Sequence, residues 1–173
     1  MEILSYVLSF FGLVCILSAS LIKGKNMKAI LFLVFAANTL VATSYLVGGS
    51  GINGAISCYI GSAQTIINYF FECKNKPLPK WLIIIYCTAF VVVNLVLGGF
   101  NALCILAIVA SLTFVMCIGQ KNGAKYRAWT IINMILWISY DLFSKSFGAL
   151  LTHVPQFIFT VAGMIIHDRK QNK

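Results

Sequence analysis

Charged residues are scarce in this chain of 173 residues, and acidic residues are the scarcest. Asp and Glu together number four, and all charged residues make up 10% of the sequence, against 60% for apolar residues. Because a soluble globular protein carries roughly 25% charged residues, this composition cannot cover a water-facing surface. It excludes an ordinary soluble domain and indicates an integral membrane protein.

Motifs of enzymes and metal sites are also missing. The chain has no phosphate-binding loop, no nucleophile elbow and no HExxH helix, and we expect no carboxylate deep in the membrane for general acid–base chemistry. Its six cysteines form no CxxC pair and fall mostly in apolar runs, which disfavours a disulfide framework or zinc site. We therefore expect no enzymatic activity, no metal and no cofactor.

Seven apolar runs are each long enough to cross a bilayer, which takes about 20 residues. Short segments containing Lys, Gly, Asn or Pro separate them, and the period-2 alternation of barrel strands is absent. The chain is therefore predicted to be an all-α integral membrane protein, a single domain with seven transmembrane helices at residues 3–22, 27–47, 52–71, 81–98, 102–119, 127–143 and 147–166.

The basic residues predict the orientation of these helices. Connections that remain in the cytoplasm are enriched in Lys and Arg, and twelve of the 13 basic residues fall on one side, with only Lys145 on the other. The N-terminus is therefore predicted outside and the C-terminus in the cytoplasm, and the net charge of +9 reflects topology rather than nucleic-acid binding. The twelve are Lys23, Lys25, Lys28, Lys74, Lys76, Lys80, Lys121, Lys125, Arg127, Arg169, Lys170 and Lys173.

The first apolar run has a second interpretation as a cleaved signal peptide. Ser18-Ala19-Ser20 resembles a small-residue cleavage site, but Glu2 stands where a signal peptide has positive charge. We expect an uncleaved helix, and cleavage would leave six.

An internal repeat divides the chain. Asn38 and Tyr45 in helix two recur as Asn133 and Tyr140 in helix six, 95 positions later, and the Gly-Ala pair that opens helix three recurs at the start of helix seven. An odd helix between two three-helix units makes the units parallel. This predicts a first bundle at 1–72, a linker helix at 73–100 and a second bundle at 101–173.

The segment from Trp137 to Gly148, WISYDLFSKSFG, followed by a helix with a basic tail, resembles the YgjV family of bacterial inner-membrane proteins. That family is in turn similar to the SWEET, PQ-loop (MtN3-like) and KDEL-receptor group, which implies a 3+1+3 helix arrangement in the inner membrane. SWEET-type transporters carry prolines in the first two helices of each bundle, whereas this chain has only Pro155 inside a helix, in helix seven. The mismatch weakens any inference about sugar specificity or gating.

Polar residues in the predicted helices are candidates for a binding site. Asn38 and Asn133 lie near the middle of their helices, where they could bind the hydroxyl or amide groups of a neutral solute. They could instead hold neighbouring helices together. Helices three and seven each carry a stripe of small and polar residues at helical spacing, which could line a path or allow tight packing: Ser57, Gly61, Gln64 and Asn68, and His153, Gln156, Thr160 and Gly163.

Four further features bear on mechanism. Because histidine titrates near neutral pH, His153 could relay a proton or bind a ligand, or it could simply be hydrogen-bonded. Asp141 and Lys145 are expected at the outer edge, where they are solvated or form a local pair or a gate. Without a deep carboxylate, facilitated diffusion is favoured over Na⁺ coupling. Trp137 could stack on a solute or pack in the core.

These features together predict a transporter of a small neutral polar solute, sugar-like or similar, that works by alternating access between the two bundles. Asn38, Asn133, Trp137, Gln64 and Asn68 are the predicted binding residues. Pathway-lining residues are predicted at Ser57, Gly61, His153, Gln156, Thr160, Tyr45 and Tyr140. The alternative is a non-transporting membrane receptor or accessory subunit. Expected partners are the solute and the lipid bilayer, and the chain could form a homo-oligomer.

Overall fold

The computed structural model describes residues 2–21, 27–49, 51–118, 120 and 123–168. Within these residues the chain forms seven α-helices and no strand. The seven predicted helices are confirmed, with boundaries shifted by at most four residues. They are α1 (Glu2–Leu21), α2 (Met27–Gly48), α3 (Ile52–Cys73), α4 (Lys80–Gly98), α5 (Ala102–Ile118), α6 (Gly123–Ser144) and α7 (Phe147–Asp168).

Four of the helices, α1, α2, α4 and α7, are long and apolar enough to cross a membrane, and α5 is a shorter apolar helix. Helices α3 and α6 are more polar, and much of that polarity is buried. A helix whose polar residues are buried faces other protein segments rather than lipid. The buried polar residues of these two helices are Asn53, Ser57, Ser62, Gln64, Thr65, Asn68, Thr130, Asn133 and Asp141.

Six of the helices contact one another in a closed cycle. Helix α2 packs between α1 and α3, α6 packs between α5 and α7, and the cycle closes through α1 against α7 and α3 against α5. Helix α4 packs against α3 and α5 and buries one stripe at four-residue spacing: Leu82, Tyr86, Phe90 and Asn94. The other residues of α4 remain partly or fully exposed, so it lies at the periphery.

Side-chain contacts show that successive helices run in opposite directions. Near the start of α1, Ser5 Oγ donates a hydrogen bond to the carbonyl oxygen of Ser44, close to the end of α2. Towards the other end of the molecule, Tyr86 in the first turns of α4 donates to Asn68 in the last turns of α3. We call these the Glu2 end and the Lys76 end of the bundle.

Most basic residues that the structure describes lie at the Lys76 end of the bundle. Lys145 is exposed at the Glu2 end, where it shares a cavity with Glu2. The Lys76 end carries Lys28, Lys74, Lys76, Lys80, Lys125 and Arg127. The remaining basic residues used for the orientation lie outside the described residues: Lys23, Lys25, Lys121, Arg169, Lys170 and Lys173.

Candidate functional site

A cavity of about 60 Å³ lies inside the helix bundle, and all seven helices contribute residues to its wall. The lining includes Ile16 of α1 and Phe90 of α4, so even the peripheral helix reaches it. Because a water molecule occupies roughly 10–15 Å³ by this kind of measure, the cavity has room for several waters or a compact solute. We call it the central cavity.

The structure brings seven of the twelve predicted site residues to the wall of the central cavity. They come from α2, α3, α6 and α7 and are Asn38, Ser57, Gly61, Asn133, Trp137, His153 and Gln156. The other five, which do not line it, are Tyr45, Gln64, Asn68, Tyr140 and Thr160. The lining also includes apolar and thiol side chains that the sequence did not single out, among them Met134, Cys58 and Cys117.

The two predicted asparagine ligands differ in how their amides are bonded. Asn133 Nδ2 donates to the carbonyl oxygen of Ala110 at 2.6 Å and to Oγ1 of Thr113 at 2.9 Å, so it ties α6 to α5. Asn38 Nδ2 is buried and has no hydrogen-bond partner among the residues that the structure describes. A buried, unpaired amide donor is costly, so Asn38 offers the central cavity a donor that nothing in the described protein occupies.

Of the three polar residues expected further along the stripes, two hydrogen-bond to a neighbouring helix or to their own helix, and the third, Gln64, is buried. Asn68 Oδ1 accepts from the hydroxyl of Tyr86 at 3.1 Å, which ties α3 to α4. Thr160 Oγ1 donates to the carbonyl oxygen of Gln156 at 2.7 Å, one turn earlier in α7. Gln64 is 2% exposed, and within the described part of the chain its Oε1 has no hydrogen-bond partner.

A buried group of ionisable side chains lies beside the central cavity, towards the Glu2 end. Asp141 on α6 is fully buried, and its Oδ2 lies 2.6 Å from Nδ1 of His153 on α7. The hydroxyl of Tyr45 on α2 donates to Oδ1 of the same carboxylate. Three helices are thus joined through one carboxylate, and we call Tyr45, Asp141 and His153 the carboxylate cluster.

Aromatic rings pack around this cluster. The ring of Trp137 stacks on His153 with centroids 5.7 Å apart, and it meets Tyr140 edge to face at 5.5 Å. Tyr140 in turn meets Tyr45 edge to face at 6.1 Å, and its hydroxyl accepts from the backbone N–H of Gly54 at 2.8 Å. The two predicted pathway tyrosines are therefore in contact with each other, between α2, α3 and α6.

The expectation that Asp141 is solvated or paired with Lys145 is wrong. Helix α6 continues to Ser144, and Lys145 (φ 57°) adopts the left-handed conformation that ends it, with the N–H of Ser146 bonded to the carbonyl oxygen of Asp141 at 2.8 Å. Asp141 therefore lies in the last helical turn and points inward, while Lys145 is exposed. The position of Asp141 four residues after Trp137, on the same helix face, was the sequence signal that could have indicated its burial.

A second cavity, also of about 60 Å³, lies at the Glu2 end and is lined by the first turns of α1 and α7 and the last turns of α2. Tyr45 lines this Glu2-end cavity, whereas His153 lines the central cavity. Asp141 bonds to both residues. The carboxylate cluster therefore forms a continuous hydrogen-bonded connection from one cavity to the other.

Comparison with known families shows to which family the chain belongs. The sequence model of the family Imp-YgjV, bacterial inner membrane protein, matches residues 3–171. The chain belongs to this family. As a YgjV-family member it is a bacterial inner-membrane protein, in agreement with its apolar helices. Searches of curated proteins and of solved structures found no match.

Proposed function

We propose that this YgjV-family protein transports a small neutral polar solute across the inner membrane by alternating access. The observation that carries the proposal is the central cavity, because all seven helices form its wall. Binding sites of repeat transporters lie near the middle of the membrane, at the interface of the two halves. Asn38 and Asn133 lie midway along α2 and α6 and both line this cavity.

The chemistry of the lining favours an uncharged solute. Among the described residues, no lysine, arginine or carboxylate lines the central cavity, and His153 is its one basic side chain. Hydroxyl and amide groups from Ser57, Asn38 and Gln156 can donate and accept hydrogen bonds. The unpaired Asn38 amide gives a solute oxygen a defined partner.

We propose that the helices work as two parallel three-helix bundles, α1–α3 and α5–α7, joined by α4. The closed cycle supports this arrangement, because a two-fold axis along the bundle exchanges the contact of α1 with α7 and the contact of α3 with α5. The excess of basic residues at the Lys76 end supports an outside N-terminus and a cytoplasmic C-terminus. No cofactor or catalysis is part of the proposed cycle.

The described conformation is closed towards the Glu2 end. Tyr45, Tyr140, Trp137 and the Asp141–His153 pair form a layer between the central cavity and the Glu2-end cavity. Solute passage to that side requires Tyr45 to separate from Asp141 and the N–H of Gly54 to separate from Tyr140. Both bonds join the first three helices to α6, so a rocking motion between the proposed bundles would break them together.

Solute uptake into liposomes tests this proposal. Purified protein is reconstituted and offered a mixed panel of neutral metabolites, and the vesicle contents are measured by mass spectrometry. We expect selective uptake, reduced about tenfold by Asn38→Ala, since one hydrogen bond to a solute is worth roughly 1–1.5 kcal/mol. Ser139→Ala is the matched control, because its hydroxyl bonds the carbonyl oxygen of Ile135 in its own helix, outside the cavity.

Equal contents in vesicles with and without folded, inserted protein would contradict transport. That result would favour a receptor or an accessory subunit, and in such a protein the central cavity could still bind a ligand. If Asn38→Ala and Ser139→Ala reduce uptake equally, the protein transports the solute but Asn38 does not bind it.

A further inference from the structure

We propose that Asp141 and His153 form a proton-binding site, and that proton release from this pair drives the opening of the layer between the two cavities. The proposal rests on the transport function above and adds its coupling ion. The observations are the buried 2.6 Å contact between Asp141 and His153 and the position of the carboxylate cluster between two cavities.

The geometry of the pair requires one proton. An unprotonated imidazole nitrogen and an ionised carboxylate are both acceptors and repel each other at 2.6 Å. A proton therefore lies between Nδ1 and Oδ2, on either atom. A neutral imidazole with its hydrogen on Nδ1 already supplies this proton, and beside an ionised carboxylate it leaves one net negative charge in a fully buried position, which is strongly unfavourable. One further proton, on Nε2 of His153 or on the carboxylate, makes the pair neutral, and this further proton is the one that the site binds and releases.

In the part of the chain that the structure describes, the surroundings supply no other compensating charge. His153 is the basic side chain that contacts Asp141 among the described residues, and Lys145 is exposed. The titratable groups facing the pair are the hydroxyls of Tyr45 on α2 and of Tyr140, which precedes Asp141 on α6, and the thiol of Cys58 on α3. All three are neutral in their protonated forms, so they cannot replace the missing proton.

Proton release therefore favours an open layer. The proton leaves the pair for a water molecule in the central cavity, which His153 lines, and no other bond changes. The remaining carboxylate gains hydration only if water reaches it. Because Asp141 touches Tyr45 and Tyr45 lines the Glu2-end cavity, separation of this contact admits water from that side. Rebinding of a proton makes closure favourable again.

A cycle that carries one proton per neutral solute has a measurable consequence. Each unit of pH difference across the membrane then permits about a tenfold solute gradient at equilibrium. Facilitated diffusion permits none. The buried carboxylate thus replaces the sequence-based expectation of an uncoupled carrier with a proton-coupled one.

Tryptophan fluorescence tests the proton site without any solute. Trp137 stacks on His153, and a protonated imidazole quenches a neighbouring indole. In a Trp81→Phe, Trp129→Phe background, Trp137 is the remaining tryptophan. We expect its emission to fall as the medium is made more acidic, and to stay constant when His153→Gln is added. If the emission of the His153→Gln variant still falls with acidification as it does in the variant that retains His153, the proposal is overturned.

Coupling is tested with the liposomes already described. With the membrane potential clamped by potassium and valinomycin, uptake of the transported panel compounds is measured with and without a pH gradient of about one unit. We expect about tenfold accumulation with the gradient and no accumulation in Asp141→Asn or His153→Gln. Uptake that equilibrates and ignores the gradient in the unmodified protein would overturn coupling and leave transport standing. If no compound enters, transport fails, and the fluorescence titration still decides whether the proton site exists.

Discussion

Helix α2 carries the same asparagine–tyrosine spacing as α6, yet the two regions differ in what surrounds it. The residue after Tyr45 is Leu46, which is 52% exposed, whereas the residue after Tyr140 is the fully buried Asp141. In the first region the polar groups join helices or remain unpaired. In the second they also form an ionisable pair. Similar frameworks can therefore carry different buried groups, an unpaired amide in one half and an ionisable pair in the other.

The largest effect that should separate the two regions comes from the ionisable pair. Asp141→Ala leaves His153 and the hydroxyl of Tyr45 buried without a partner, and we expect it to reduce the free energy of unfolding by about 3–5 kcal/mol. Leu46→Ala, at the matching exposed position, should change it by about 0.5 kcal/mol or less. Unfolding of the purified protein by sodium dodecyl sulfate measures both.

A double variant sharpens this result. Replacing both partners, Asp141→Leu with His153→Leu, removes the unpaired groups together, so it should recover much of the stability. If it is as unstable as Asp141→Ala, the loss comes from packing rather than from an uncompensated charge.

The glycines that open α3 and α7 offer a second comparison. A Cβ added at Gly54 would lie 2.8–2.9 Å from ring carbons of Tyr45 and Tyr140, which are fixed by their hydroxyl contacts. At Gly148 it would meet the hydroxyl oxygens of three serines, and each of these is a single atom that can rotate at the cost of a hydrogen bond to another serine. We expect Gly54→Ala to cost about 1–3 kcal/mol and Gly148→Ala to cost less in the same unfolding measurement. Equal costs would show that the tyrosine layer is not rigid.

Gly163→Ala calibrates this pair of variants. Its added Cβ has its nearest neighbour 3.9 Å away, which is an ordinary contact. Alanine in a helix interior is favoured over glycine by up to about 1 kcal/mol, so a neutral or slightly stabilising result is expected.

The smallest predicted difference lies between the two asparagines. Asn133→Ala removes two hydrogen bonds to α5 and should cost about 1–2 kcal/mol of unfolding free energy. Asn38→Ala removes an unpaired donor and should leave stability within about 0.5 kcal/mol while reducing solute uptake. A stability loss as large for Asn38→Ala as for Asn133→Ala would mean that both asparagines mainly hold helices together.

The helices were predictable because their signals are local. Apolar runs and the breakers between them set each helix to within a few residues, and the largest shift, at the start of α6, occurs where Lys125 and Arg127 interrupt the hydrophobic run. The mid-helix positions of Asn38 and Asn133 also predicted a shared site, and both residues line the central cavity. Which of them would be paired depends on Ala110 and Thr113 of a neighbouring helix, and sequence spacing does not contain that information.

The sequence analysis placed Asp141 wrongly for a related reason. Read along the chain, it begins a polar stretch that ends at Ser146, which suggests a loop. Its burial depends on two distant residues, Tyr45 from α2 and His153 from α7. A short connection, Lys145 and Ser146, brings α7 back against α6 and makes the contact with His153 possible.

The contact between α1 and α7 that closes the helix cycle also has a consequence for biosynthesis. Ribosomes add roughly 5–20 residues per second, so Tyr45 is made several seconds before Asp141, which follows 96 residues later. Thr152, whose hydroxyl bonds the carbonyl oxygen of Ser9, emerges 143 residues after its partner. During this time the first helices are already made, but the side chains that later bond to them, such as Asp141 for the hydroxyl of Tyr45, are not. The insertion machinery or a chaperone has its longest opportunity to act on this protein during that interval.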